Sequence, residues 1–111
     1  MKRAALLAAL LFAMEANAAS FITGERLYAL LTDQDPFSRA QASGYIAGVT
    51  DTGNGLGPTK MNWCFAVPNG VNANQVAAVV TRFLEQNAAK RALGASGLVE
   101  EALSKAYPCK K

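Results

Sequence analysis

The chain has no histidine among its 111 residues. That absence removes the side chain most used as a general base and as a metal ligand. Cysteine is scarce too, with two in all. Two sulfurs without an imidazole make a poor zinc site, and a thiol nucleophile would lack its usual base. Charge is thin: 17% of residues are ionisable and the formal net charge is +3. That is too weak and too scattered to argue for nucleic acid, and Lys110-Lys111 reads as a solvated end. No apolar run reaches the roughly 20 residues that span a bilayer. The carboxylates past the first stretch are Glu25, Asp33, Asp35, Asp51, Glu85, Glu100 and Glu101. Glu100 and Glu101 are neighbours on a helical segment, so they point about 100° apart and cannot share a substrate. The others stand where caps and solvated faces would put them, and Asp51 has no partner nearby in sequence. These residues offer no catalytic group, no metal site and no cofactor site.

What is present begins with an address. Met1-Lys2-Arg3 is basic, Ala4 to Met14 is apolar and uncharged, and Ala16-Asn17-Ala18 has the small-x-small form of a cleavage site. This order predicts a secretory signal peptide over 1–18 and a domain over 19–111. No cysteine follows the cleavage site, so a lipid anchor is not indicated. Removing Lys2, Arg3 and Glu15 leaves nine basic and seven acidic residues, a net +2. The expected product is exported, soluble and without a membrane segment.

Cys64 and Cys109 both lie in the exported part. An even count in an oxidising compartment reads as a disulfide. The loop it closes is long, and chain entropy then gives about 4 kcal/mol. A domain this small buries only about 60–65% of its unfolded surface, so such a clasp is a large share of its stability.

The strongest periodic signal is Val71 to Asn87. Val76, Val79, Val80, Phe83 and Leu84 fall at i, i+3, i+4, i+7 and i+8, one apolar stripe of a helix. Asn72 stands at its N-cap, with Gln75 placed to complete a capping box. Before it, Thr23 is a helix cap for about Gly24 to Asp33, with Leu27, Leu30 and Leu31 apolar. Asp35-Pro36 starts a second helix, expected to run to Thr50. Phe37, Tyr45, Ile46 and Val49 give it bulk, while Ala40, Gly44 and Gly48 recur every fourth residue. Glycine inside a helix costs about 1 kcal/mol relative to alanine, so those positions predict either close helix packing or a homodimer seam. Ala88 to Ala92 can extend the central helix. A last helix is expected over Gly97 to Ala106, capped by Ala95-Ser96, with Leu98, Val99, Ala102, Leu103 and Ala106 facing inward. Tyr107-Pro108 ends it. Strand signal is weak throughout. The fold expected is all-α, a small bundle of four to five helices with one disulfide.

Asp51 to Lys60 reads as a glycine-rich loop. It lacks the glycine-lysine-threonine order and the preceding strand of a phosphate-binding loop. A loop of this kind is where a binding protein carries contacts. Asp51, Asn54, Leu56 and Lys60 are the candidate partner-binding residues. Trp63 and Phe65 flank Cys64 and are expected to cover the disulfide, and Pro68-Asn69-Gly70 makes a turn.

Three stretches share the motifs of one family. Gly44-Tyr45-Ile46-Ala47-Gly48-Val49 is similar to a G-Y-I-x-G-V signature. Pro68-Asn69-Gly70-Val71 and the helix after it resemble a P-x-G-V turn and helix. Leu98-Val99-Glu100-Glu101-Ala102-Leu103, closing on Tyr107-Pro108-Cys109, resembles L-V-x-x-A-L ending in aromatic-P-C. Together they resemble the Tai family of immunity proteins, which protect bacteria from type VI secretion amidase effectors. The resemblance covers roughly Phe21 to Cys109. It implies a periplasmic helical protein, often a homodimer, whose projecting segment blocks the cleft of a cysteine–histidine peptidoglycan amidase. Two departures stand out. Members often carry a second cysteine pair, where this chain has residues around Gln34 and Ala42, and Cys64 stands further from Pro68 than the pattern has it.

The function expected is therefore inhibition of a cell-wall amidase by occlusion, without enzymatic activity. The alternative is a periplasmic HdeA-like acid-stress chaperone, also small, helical, exported and single-disulfide; carboxylates would have to supply its acid response. A structural accessory protein of a phage or secretion system is a third reading.

Overall fold

The computed structural model describes residues 21–59 and 62–110. The expected signal peptide over 1–18 lies outside the described residues. Four helices make the architecture: α1 (Gly24–Thr32), α2 (Pro36–Gly53), α3 (Ala73–Gln86) and α4 (Ala95–Ala106). A short 3-10 turn over Ala88–Ala92 joins α3 to α4. Among the described residues there is no strand, only isolated antiparallel bridges Thr23–Gly94 and Phe65–Pro108. The all-α bundle with one disulfide is what the chain forms.

Three helices start on the residues that chain chemistry favours. The Thr23 hydroxyl accepts from the Arg26 amide at 3.2 Å. Asp35 Oδ1 accepts from the Phe37 amide at 3.0 Å, with Pro36 already at a helical φ. At α3 the capping box is complete: the Gln75 amide donates to Asn72 Oδ1 at 2.9 Å and the Asn72 amide to Gln75 Oε1 at 2.8 Å.

Two boundaries differ from expectation. α4 begins at Ala95, not Gly97, and its N-cap is Gly94, which has no side chain to offer. The tertiary fold supplies the cap. The Ala95 amide donates to the Ile22 carbonyl and the Gly24 amide to the Leu93 carbonyl, both at 2.8 Å. Backbone thus satisfies end groups of α1 and α4 together, a solution no local motif announces. α2 runs on to Gly53, three residues past Thr50. The ring of Phe65 packs on Gly53, and the Asn54 amide closes the last turn on the Thr50 carbonyl at 2.8 Å. Asp51 therefore stands on a helix, and the loop begins at Asn54.

The core draws on every helix: Leu27 and Leu30 from α1, Ala42 and Ile46 from α2, Val76, Val80, Phe83 and Leu84 from α3, and Leu98, Val99, Ala102 and Leu103 from α4. Val79 sits at the edge of the central stripe, partly buried, while Ala106 and Phe37 are exposed. Phe65 comes from outside the helices and is wholly buried. Burying such a side chain contributes about 2–3 kcal/mol.

Cys64 and Cys109 are bonded, with Cα atoms 5.5 Å apart. The bond joins the segment after the loop to the residues that follow α4. Where the Tai pattern has a second cysteine pair, Gln34 is exposed and Ala42 is wholly buried. The turn between α1 and α2 is tied by Arg39, whose Nη1 donates to the carbonyls of Asp33 (2.7 Å) and Gln34 (2.8 Å).

Candidate functional site

The loop after α2 is a small folded unit. Gly55 (φ +73°) and Gly57 (φ +94°) take left-handed backbone conformations that favour glycine. Asn62, on the returning segment, does the same at φ +61°, a conformation asparagine tolerates better than most residues. These turns fold residues 54–59 back onto 63–67. The Gly55 amide donates to the Phe65 carbonyl at 3.1 Å and the Thr59 amide to the Trp63 carbonyl at 2.7 Å. The Trp63 amide donates to the Thr59 hydroxyl at 3.1 Å. Between the two glycines, Leu56 is held out with 78% of its surface exposed.

The other candidate contacts divide. Asn54 Oδ1 accepts from the Val67 amide at 2.7 Å, so its acceptor holds the loop in shape. Asp51 is exposed on the last turns of α2. Asp51 and Asn54 together line a groove of about 290 Å³ between α2 and the 67–73 segment that leads into α3. Leu56 projects as a separate feature, outside that groove's lining. Lys60 lies outside the described residues.

Ala40, Gly44 and Gly48 are exposed along α2. A Cβ added at Gly44 or Gly48 would meet nothing within 4 Å among the described residues. Among the described residues, no other helix packs closely on these glycines. Gly44 and Gly48 instead form part of an open, shallow depression with Tyr45, Val49, Thr52, Ser96 and Glu100.

One charged cluster escaped the reading of the sequence. Glu101 is 7% exposed, and Lys90 on the 3-10 turn donates to its Oε1 at 2.6 Å. Lys105, one turn on, lies 3.7 Å from the same oxygen. The ammonium groups of Lys90 and Lys105 lie 5.9 and 5.4 Å from the centroid of the Phe83 ring. The signal was available: Glu101 is i+3 from Leu98, inside the apolar stripe of α4, with Lys105 at i+4. The cluster ties the 3-10 turn to α4 and is remote in sequence from the loop.

The family comparison adds the deciding observation. The model of the Rap1a immunity proteins matches residues 23–109. This chain belongs to the Rap1a immunity protein family. The Rap1a match takes in all four helices, both cysteines and the loop bearing Leu56. It places the chain among type VI secretion immunity proteins, whose partners are secreted effectors. No curated protein sequence matches the chain. No helix of the described residues is long and apolar enough to cross a membrane.

Proposed function

We propose that this Rap1a-family protein acts in the periplasm, where it binds a type VI secretion peptidoglycan amidase and occludes its active-site cleft. The observation that carries the reading is Leu56: an apolar side chain, 78% exposed, on a loop cross-linked to the segment behind it. Holding a large apolar group in water has no value to the isolated domain. Inserted in an apolar cleft, it would gain about 1.5–3 kcal/mol, and a pre-organised loop loses little entropy on binding. Asp51 on α2 supplies a charge that would set orientation and on-rate at the rim, and Lys60 is proposed as a further contact.

The export signal over 1–18 supports the periplasmic assignment. The Tai-like motifs support an amidase as the target. The exposed face of Ala40, Gly44 and Gly48 is the surface we assign to self-association, because glycines on an open helix face let a second backbone approach. The acid-stress chaperone has no comparable support from the family match.

The test is protection of a host that exports a type VI secretion peptidoglycan amidase. Co-export of the wild-type protein should prevent lysis, and co-export of a Leu56→Asp variant at equal level should not. Lysis in the presence of wild-type protein would overturn the assignment.

A further inference from the structure

The loop that presents Leu56 has an unusual foundation. It rests on residues 63–67, of which Phe65 belongs to the core and Val67 packs against it. Phe65 is buried against Gly53. The Ala66 amide donates to the Tyr107 carbonyl at 2.9 Å, and the Cys109 amide reaches the Cys64 carbonyl at a long 3.4 Å. The Cys64–Cys109 bond is the covalent member of the set. Its far end lies beyond α4, in a segment whose last helical residue, Ala106, is exposed. A segment outside the helices opens at little cost once untied. The helices hold together through a core that takes in Phe65 but neither cysteine.

We propose that the Cys64–Cys109 disulfide is a redox latch on the loop 54–59. Reduced, the protein keeps its helix bundle at lower global stability and loses the ordered loop. The cysteines are both partly exposed, so a dithiol reductant can reach them. One thiolate of the reductant attacks a sulfur of the pair and forms a mixed disulfide, and the other protein sulfur leaves as a thiolate and takes up a proton. The second thiolate of the reductant then attacks the mixed disulfide and releases the second protein thiol. Two electrons pass to the Cys64–Cys109 pair and the dithiol becomes a disulfide. Without the bond, the segment after Tyr107 loosens and the 62–64 segment loses its tether. The Thr59–Trp63 cross-links then have no fixed base.

The consequence for activity rests on the reading of Leu56 as the effector contact. A copy still in the reducing compartment where it was made would lack the binding loop. Partner capture would begin only after export and oxidation.

Amide hydrogen exchange on the full protein tests the latch without any effector, so its outcome is independent of the immunity assignment. Oxidised protein is compared with protein in dithiothreitol and with a Cys64→Ser, Cys109→Ser double variant. The latch predicts that the amides of Gly55, Thr59, Ala66 and Val67 exchange about tenfold faster or more in both reduced forms. The amides of Val80, Leu84 and Leu103 should retain their protection. Unchanged exchange in the loop would overturn the proposal. So would loss of protection in loop and helices together, including a double variant that fails to fold, because the bond would then hold the whole domain.

Discussion

Gly53 lies against the ring of Phe65, and a Cβ on Gly53 would come within 2.8 Å of Phe65 Cζ. The contact joins the last residue of α2 to the segment that carries the loop. It is why α2 can extend beneath the glycine-rich stretch. A Gly53→Ala substitution overpacks a fully buried aromatic, and should destabilise the domain by about 1–2 kcal/mol despite alanine's better helix propensity. Phe65→Ala leaves a cavity and should cost about 3–5 kcal/mol. Urea unfolding at constant m-value checks both. A Gly53→Ala protein as stable as wild type would show that the ring moves freely.

The Lys90–Glu101 pair is lopsided: the lysine side chain is 40% exposed and the glutamate 9%. Losing each partner should therefore cost differently. Lys90→Met leaves a buried carboxylate with Lys105 at 3.7 Å as its remaining cation, at a cost of about 2–3 kcal/mol. Glu101→Gln frees two lysines that can both turn to water, at about 1 kcal/mol. Thermal unfolding of the two variants should show the larger loss for Lys90→Met, and the reverse order would contradict the burial argument.

Gly44 and Gly48 face open space, so alanine at either meets no steric obstacle. Each substitution should stabilise the monomer by about 0.5–1 kcal/mol through helix propensity alone. If the same face joins two copies, the substitutions should also weaken self-association in sedimentation equilibrium. Stabilisation with no change in association would remove the seam and leave the fold untouched.

The Asp35 amide donating to Asp33 Oδ1 at 3.0 Å, helped by the Ser38 side chain, holds the Asp33 carboxyl below its ordinary value of 3.8. A lowered folded value means that the carboxylate's contribution is complete above about pH 3.8 and is lost as pH falls through the lowered folded value. A carboxyl-carbon NMR titration should place the Asp33 midpoint below 3.8. Asp33→Asn should make stability less sensitive to acid in that window. A midpoint at or above the ordinary value would contradict the hydrogen bond.

Much of this architecture was legible because local signals and the core agree. The stripe from Val76 to Leu84, the Asn72–Gln75 box and Asp35-Pro36 each name a helix without help from the rest of the chain. The pairing of Cys64 with Cys109 followed from the expected export signal and an even count. What stayed hidden is tertiary. The start of α4 at Ala95 depends on a carbonyl from Ile22, and the end of α2 at Gly53 depends on Phe65. Asp51 was accordingly placed in a loop when it ends a helix. Asn54 looked like a contact residue, yet its carbonyl oxygen serves Val67, thirteen residues away. Leu56, a candidate contact in the sequence, is exposed because the glycines on either side of it turn the chain outward.

The most direct measurement of the central claim is amidase activity on purified peptidoglycan as the oxidised protein is added. The enzyme is the partner proposed above, a type VI secretion peptidoglycan amidase. Occlusion predicts that cleavage falls to background at one equivalent of wild-type protein. It also predicts that Leu56→Asp, equally folded by circular dichroism, needs about a hundredfold more, as expected when a central apolar anchor is lost. Undiminished cleavage at excess wild-type protein would contradict the account.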